Sequence, residues 1–300
     1  MWRSIVLFLM MVAASDAQAG PDVYKKTSID FRYNPVGLQA RSSLYAYKRH
    51  DDVRTSIGPT IAASPADIRG GLEGWLELHR VLRLTARWEG IGYFGTFNQL
   101  LSWPATEVPL DNGSDPSVCK SNPRACGPVD YSDRAMQKRV ADGQNYTTRG
   151  WQGMGQARFV AAGDKVALWN RLNAYYTTLD LEDGDETFYD LTFDILMANA
   201  AWTLVNDADL LIHGSDDFAI GVRHSAVHAM HGDGSDADQW TQRVGPIIRL
   251  QPDGSWPDID LLSQWWLSHS YRAGTESDQS VPQVLVRLTF YDRALDRDDD

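Results

Sequence analysis

The sequence contains only two cysteines, no long hydrophobic run after its first 19 residues and no basic patch. A helix that crosses a membrane needs about 20 consecutive apolar residues, so we expect no helical anchor after residue 19. Mean hydropathy is −0.37 and the formal net charge is −12. Nucleic acid is not expected as a partner, because phosphate binding requires a basic surface. No cofactor or metal ion is indicated by the sequence, and none is expected.

The first 19 residues have the features of a secretory signal peptide. Arg3 is followed by an apolar run over 5–14 and then by the small-residue triplet Ala-Gln-Ala at 17–19. Such a segment is typically removed on export. We therefore expect residues 1–19 to be cleaved and the mature chain to begin near Gly20.

Apolar and polar residues alternate over 70–93, along two runs that are joined by a short turn. Leu72 and Leu76 share one face of the first run, and Glu73 and Glu77 share the other; after the turn, leucines alternate with arginines. A period of two predicts β-strands. Such a charged face suits the lumen of a transmembrane barrel whose other face meets lipid. The hairpin alone is equally compatible with a sheet that covers a soluble core.

Similar alternation continues along most of the mature chain and predicts ten antiparallel strands. Residues 21–35 show no clear period and are expected to be a lead-in. Pro59 and Pro65 argue against a continuous strand in the 48–69 region. The count becomes twelve if 214–217 is a loop and 48–69 hides another strand. The ten predicted strands are 36–47, two within 70–93, 149–161, 166–176, 189–205, 209–229, 240–250, 259–271 and 284–291.

The connections between these strands are of two kinds. Short turns, such as 163–164 and 206–209, take turns with acidic loops at 182–186 and 231–238, and a long segment over 94–148 carries five prolines and both cysteines. Short periplasmic turns and long extracellular loops are typical of an all-β, up-and-down transmembrane barrel. We predict one barrel domain over 20–292 and an acidic, disordered tail over 293–300.

The pattern resembles that of the Gram-negative outer-membrane β-barrel proteins over nearly the whole mature length. Val284, Val286, Leu288 and Phe290 share one face of the final run, which is similar to the closing strand of that class, although here a tail follows it. The resemblance implies a location in the outer membrane, contacts with its lipid and lipopolysaccharide, and assembly by the barrel-insertion machinery. It identifies no specific functional family.

The parity of each strand assigns fourteen charged side chains to the lumen. Arginines outnumber carboxylates by eight to six, so we predict ion-pair networks across the lumen. Ten strands enclose little space beyond what side chains fill, so the interior is either plugged or a slim channel whose wall weakly favours anions. The predicted lumen residues are Arg41, Glu73, Glu77, Arg83, Arg87, Glu89, Arg158, Arg171, Asp190, Asp194, Arg243, Arg249, Asp260 and Arg287.

One group of residues has the composition of a nucleophilic triad. His213, Ser215 and Asp217 share the lumenal parity of a single predicted strand, and a serine, a histidine and an aspartate are the members of the hydrolase triad. Side chains two positions apart on a strand are about 7 Å apart. Catalysis there would require a bulge that brings them together.

A second group lies near the predicted outer rim. His224 and Ser225, with His228 and His231 close by in sequence, are similar in residue type to the His/Ser sites of outer-membrane lipid hydrolases, but no motif of that family can be matched residue by residue. As a metal site, the group would need a geometry that a regular strand does not provide. No catalytic residue and no metal ligand is therefore predicted.

Three classes of function remain open from the sequence. The first is a narrow porin-like channel for small solutes or ions. The second is a closed barrel that acts in binding or in envelope structure through its long extracellular loop. The third is an outer-membrane hydrolase.

Cys119 and Cys126 lie in a segment rich in proline, glycine and serine, and an exported chain favours a disulfide between them. We expect reduction to change global stability little, because the closed ring is short. Quantitative thiol labelling of the exported protein, with and without a reductant, measures this bond. Full labelling of both cysteines in the absence of a reductant would contradict it.

Overall fold

The computed structural model describes residues 22–34, 36–50, 52–96, 101–104, 141–190, 192–230, 240–252, 256–268 and 281–291. Fifteen strands lie in this part of the chain. In chain order they are β1 (Asp22–Tyr33), β2 (Gly37–His50), β3 (Val53–Ala63), β4 (Asp67–Leu78), β5 (Leu82–Tyr93), β6 (Ser102–Pro104), β7 (Thr148–Ala162), β8 (Val166–Leu179), β9 (Asp185–Asp190), β10 (Ile195–Ala198), β11 (Ala201–Ser215), β12 (Phe218–Ala229), β13 (Thr241–Leu250), β14 (Asp258–Ser268) and β15 (Gln283–Tyr291).

Twelve of these strands form a closed antiparallel barrel. The order around the wall is β1, β2, β3, β4, β5, β7, β8, β11, β12, β13, β14 and β15, and β15 pairs with β1 to close the ring. The remaining strands, β6, β9 and β10, form a small separate sheet. The all-β barrel expected from the sequence is therefore confirmed, with twelve strands, the alternative count, rather than ten.

Strand β1 corrects the expectation that residues 21–35 are a lead-in. It pairs with β2 over eleven residues and with β15 over eight. Its outward face carries Val23, Phe31 and Tyr33, which are exposed, whereas its inward face carries Tyr24 and Asp30. Lysines and hydroxyl residues occupy both faces of its central part, which obscures the period.

Strand β3 is also unexpected, because it contains Pro59. Pro59 follows Gly58, and both residues lack a partner in the ladder to β2, which resumes on either side of them. A β-carbon on Gly58 would lie 1.8 Å from the carbonyl oxygen of Leu44, so only glycine fits there. Gly245-Pro246 in β13 repeats the arrangement, with the ladder to β14 interrupted opposite it. Proline has no N–H group to donate to a ladder. Each Gly-Pro dipeptide therefore lies where the ladder to one neighbouring strand is interrupted.

The segment from 185 to 229 divides differently from the prediction. The predicted strand 189–205 is wrong, because β9 and β10 reverse direction between residues 190 and 195 and leave the wall. The predicted strand 209–229 is also wrong, because a turn at 216–217 separates β11 from β12. A register shift between His213 and Ser215 keeps the outward residues of both strands at even positions. The two strands therefore show the alternation of one continuous strand.

The outer surface of the wall is apolar. Outward side chains such as Leu72, Leu84 and Phe159 are between 42% and 50% exposed. Near one end an aromatic row forms where Trp151, Tyr176 and Trp202 from three neighbouring strands contact one another, with ring centroids 5.3–5.5 Å apart. An apolar band flanked by aromatic residues is the surface that a barrel presents to lipid.

The two ends of the barrel differ in their connections. At one end, called here the short-turn end, consecutive strands are joined at 51–52, 79–81, 163–165, 216–217 and 251–257. His79 and Arg80 both have positive φ angles, of 50° and 58°, as the two central residues of a type I′ hairpin turn require. The opposite end, the long-loop end, carries the four long connections 94–147, 180–200, 230–240 and 269–282, together with two short ones at 34–36 and 64–66.

Several predicted features lie outside the described residues. These are the signal peptide over 1–19, most of the long loop with Cys119 and Cys126, His231, and the tail over 293–300. Within the described ranges, no helix is long and apolar enough to cross a membrane.

The outward position of Leu84 leads to the first structural test. We expect Leu84→Arg to lower the free energy of unfolding in lipid by about 2–4 kcal/mol if the position lies near the midplane of the bilayer, because a charge there contacts hydrocarbon. Val81→Arg, at the short-turn end, is the control and should cost about 0–1 kcal/mol. Urea titration of the protein folded into vesicles measures both. Equal losses for the two variants would contradict the assigned face.

Candidate functional site: the charged interior

Alternate residues of the wall point inward, and many of them are charged. In β4, for example, Arg69, Glu73 and Glu77 share the inward face with Trp75. Charges in a closed space need opposite charges as partners, because an unpaired buried charge is strongly destabilising. The contacts across the interior show how this wall provides them.

The first ion-pair network joins β2, β4 and β5. Arg41 contacts the Glu89 carboxylate, although the two residues lie on strands that are not adjacent. Arg87 lies between two carboxylates, 3.1 Å from Glu89 and 3.3 Å from Glu73. The Tyr45 hydroxyl donates a hydrogen bond to Glu73. This network crosses one side of the lumen.

A second network centres on Glu77, which is buried. Its carboxylate lies 2.5 Å from Arg83, 3.1 Å from Arg158 and 3.7 Å from Arg54. The Arg83 guanidinium also lies over the Trp75 ring, 4.4 Å from its centroid. One carboxylate therefore serves three arginines from strands β3, β5 and β7.

A third network joins β11, β12, β13 and β14. Asp209 accepts two hydrogen bonds from Arg223, of 2.5 and 2.7 Å, and one of 2.6 Å from Arg249. Arg249 also donates to Asp260 at 3.2 Å. Asp209 is 1% exposed, so its charge depends on these two arginines.

The seam where the barrel closes has its own ion pair. Arg287 on β15 donates two hydrogen bonds, of 2.7 and 2.6 Å, to Asp30 on β1. Asp30 and Arg287 are direct partners in the ladder between β1 and β15. On the other side of β15, the ladder partner of Arg287 is Asp260 of β14. This bidentate pair reinforces the pairing of the first and last strands.

The small sheet fills the mouth of the barrel at the long-loop end. Phe188, Leu196 and Met197 are fully buried, and they pack against the inward-facing ends of β5, β8, β11 and β12. Arg32 of β1, which lies opposite β8 in the ring, donates a hydrogen bond of 2.9 Å to the carbonyl of Thr192. The inserted sheet therefore spans the mouth from one side of the wall to the other.

Local polar contacts hold the inserted sheet in shape. The Asp190 carboxylate accepts hydrogen bonds from the backbone N–H groups of Thr192 and Phe193, at 2.7 and 3.1 Å, as in an Asx turn. The Asn199 side chain both accepts from and donates to the backbone of Leu179, at the end of β8. Burial raises the pKa of Asp190, against the opposing charge of Arg69.

Two further clusters narrow the lumen near the short-turn end. Leu211, Ile247 and Leu262 form a buried apolar group on one side. Tyr24 and Tyr45 stack on the other side, with ring centroids 4.9 Å apart.

Solvent nevertheless reaches part of the interior. Six charged side chains on the inward face are between 21% and 33% exposed, so protein atoms do not fill the space in front of them. They are Arg83, Arg158, Arg171, Asp207, Asp260 and Arg287.

The structure places twelve of the fourteen predicted lumen residues on the inward face of the wall. Asp190 and Asp194 are the exceptions, because they belong to the inserted sheet, where both are buried. Further inward charges were not predicted. They lie outside the predicted strands or in the predicted strand 209–229, whose charged residues were not assigned to the lumen. These are Lys26, Asp30, Arg32, Arg54, Asp67, Arg69, Asp207, Asp209 and Arg223. The alternation of Val23, Ile29, Phe31 and Tyr33 in β1 was the available signal for three of them.

The structure does not assemble the candidate triad. His213 pairs with Ala219 across the β11–β12 hairpin, and Ser215 and Asp217 are exposed at the turn. His224 and Ser225 are consecutive on β12 and point to opposite faces, because Ser225 bonds to inward Asp207 while His224 contacts Gln242. Within the described ranges, no group of three histidine, cysteine or carboxylate residues could hold a metal ion.

A closed antiparallel wall with an apolar outside and a charged inside defines the class: a β-barrel of the outer-membrane type. No family model matches the chain, and no curated protein matches it. Solved structures that are similar in fold include an outer membrane channel from Pseudomonas putida F1, with 9% sequence identity and a TM-score of 0.45 over 93% of this chain and 98% of that chain. The KdgM porin gives 7% sequence identity and a TM-score of 0.39 over 89% of this chain and 97% of that chain. LpxR from Salmonella typhimurium gives 12% sequence identity and a TM-score of 0.39 over 89% of this chain and 99% of that chain.

Asp209 is the carboxylate that the third network depends on. We expect Asp209→Asn to lower the free energy of unfolding by about 3–5 kcal/mol, because it leaves Arg223 and Arg249 buried without their shared counter-charge. Denaturant titration in detergent measures the loss, with Asp164→Asn in an exposed turn as the matched control. A loss below about 1 kcal/mol would show that the network does not stabilise the wall.

Proposed function

We propose that the protein is an outer-membrane β-barrel that forms a narrow channel for small solutes or ions and favours anions. The observation that carries this proposal is the set of charged interior side chains that remain partly exposed to solvent inside a closed wall. Unfilled space lined by charged side chains is what a pathway for ions or small polar solutes requires.

The outer surface supports the location in a membrane. The barrel strands have between 9 and 15 residues, and about 9–11 residues suffice for a tilted strand to cross a bilayer. With the apolar band facing lipid, the short-turn end corresponds to the periplasmic side and the long-loop end to the extracellular side. Lipid and lipopolysaccharide are then the surroundings of the wall, and the barrel-insertion machinery is the expected partner in assembly.

The preference for anions follows from the charges on the wall. Twelve inward arginines and Lys26 face eight inward carboxylates, although the chain as a whole is acidic, with a net charge of −12. The carboxylates are Asp30, Asp67, Glu73, Glu77, Glu89, Asp207, Asp209 and Asp260, and the arginines are Arg32, Arg41, Arg54, Arg69, Arg83, Arg87, Arg158, Arg171, Arg223, Arg243, Arg249 and Arg287. A surplus of positive charge on a pore wall raises the local concentration of anions.

A second candidate is a closed barrel that acts in binding or in envelope structure through its extracellular loops. The inserted sheet favours it, because the buried residues of β9 and β10 occupy the mouth. In a channel, the same sheet would be the constriction. No contact in the described part of the chain favours the hydrolase alternative.

Planar bilayer recording tests the channel. The purified protein, shown to be folded by a shift in gel mobility on boiling, should give small conductance steps and a reversal potential in a KCl gradient that indicates chloride selectivity. We expect Arg32→Ala to raise the ratio of open to closed states about tenfold, because it removes a charge-assisted hydrogen bond that holds the inserted sheet.

Arg149→Ala is the matched control, because Arg149 lies at the same end and is 87% exposed in its pair with Asp180. It should leave the ratio unchanged. Folded protein that gives no conductance, with or without Arg32→Ala, would overturn the channel and favour the closed barrel.

A further inference from the structure

Three arginines lie side by side on adjacent strands of the wall. Arg83 of β5 is the direct ladder partner of Arg158 of β7, which is in turn the partner of Arg171 of β8. Directly opposed residues in antiparallel strands have β-carbons about 4.5–5.5 Å apart, and like charges so placed are destabilising. The arrangement therefore needs a source of compensating negative charge.

The neighbouring residues of the same row compensate it only in part. On one side of the three arginines the row continues to Glu77, Arg54 and Arg49, and on the other to Asp207. The arginines of this row therefore outnumber its carboxylates. The carboxylates of adjacent rows, Glu73 and Asp209, already accept other partners in the networks described above.

Arg171 is the least satisfied member. Its only ion pair among the described residues is with Asp207 at 3.6 Å, which is beyond hydrogen-bond distance. Asp207 is itself engaged by the Ser225 hydroxyl at 2.6 Å. The guanidinium of Arg171 therefore presents donors to the lumen that the protein does not saturate.

The three arginines are partly exposed to solvent, and two of them contact tryptophan rings. The three arginine side chains are 21–26% exposed. Arg83 lies over the Trp75 ring at 4.4 Å, and Arg158 lies 5.6 Å from the centroid of Trp169. Cation–π contacts of this kind restrict the orientation of a guanidinium, so the site is partly preorganised.

We propose that Arg83, Arg158 and Arg171 form a binding site for a dianionic oxyanion group, as found in phosphate and in phosphate or sulfate esters, on the wall of the lumen. Planar guanidinium groups bind such oxygens by paired, charge-assisted hydrogen bonds. A dianion would add negative charge where the arginines of the row outnumber its carboxylates. The inference rests on the proposed function for the route by which a solute reaches the site, whereas binding itself does not require conduction.

Isothermal titration calorimetry with inorganic phosphate tests this site. The full chain is refolded in detergent, free of lipopolysaccharide, and titrated against a chloride background of constant ionic strength. We expect wild-type protein to bind one phosphate and Arg171→Gln to bind it about tenfold or more weakly, because a charge-assisted contact is lost. Arg171→Lys keeps the charge without the paired donors and should give an intermediate affinity.

Arg69→Gln is the charge-matched control, because it removes one positive charge from the interior near the long-loop end of β4, away from the row. It should bind phosphate within about twofold of wild type, and the boiling shift in gel mobility checks that each variant is folded. Equal weakening in Arg171→Gln and Arg69→Gln would show only a general interior potential and would overturn the site, as would the absence of binding in wild type. Since the assay measures no conductance, a failed channel and a failed site give different results.

Discussion

Charge pairing across the interior is the constraint on which this barrel depends. The outward face must be apolar to meet lipid, so polar side chains are confined to the inward face, where water is limited. Arg41–Glu89 and Arg249–Asp209 join strands that are not neighbours in the wall. Such pairs resist deformation of the ring in a way that contacts between adjacent strands cannot.

Pairing is strongest where the ring closes and weakest where three arginines meet. Asp30 and Arg287 form a bidentate pair at the junction of the first and last strands. At Arg171, by contrast, the nearest carboxylate is too far for a hydrogen bond. Stability alone does not account for this contrast, because a carboxylate opposite Arg158 would remove the repulsion. In the site we propose, this incomplete pairing is the basis for binding a solute.

The inserted sheet adds a second element to the interior. Its buried residues, such as Phe188 and Met197, are apolar and pack against the inward-facing ends of the wall strands. Arg32 on the far wall contacts it through the carbonyl of Thr192. The wall is thus one continuous sheet, whereas the mouth holds a separate element that has its own small sheet.

The sequence predicted the fold class and the face of most wall residues. Alternation in 70–93 and 149–176 assigns Leu84 and Arg83 to opposite faces, because the period of a strand is two wherever it lies. It did not reveal β3, since the effect of Pro59 depends on whether the neighbouring strand needs its N–H, and that is decided by the β2 ladder. Local pattern also could not show that residues 185–198 leave the wall, because a strand of the inserted sheet alternates as a wall strand does.

Residue types and parity were therefore determined by the sequence itself, whereas the pairing of charges was decided by tertiary structure. The sequence indicated that Arg83, Arg158 and Arg171 face the lumen, but their spacings along the chain do not show that they are neighbours. Strand register makes them so. Register is set by the closure of the whole ring and by the turns between its strands, which is why only the complete barrel shows where its surplus positive charge is concentrated.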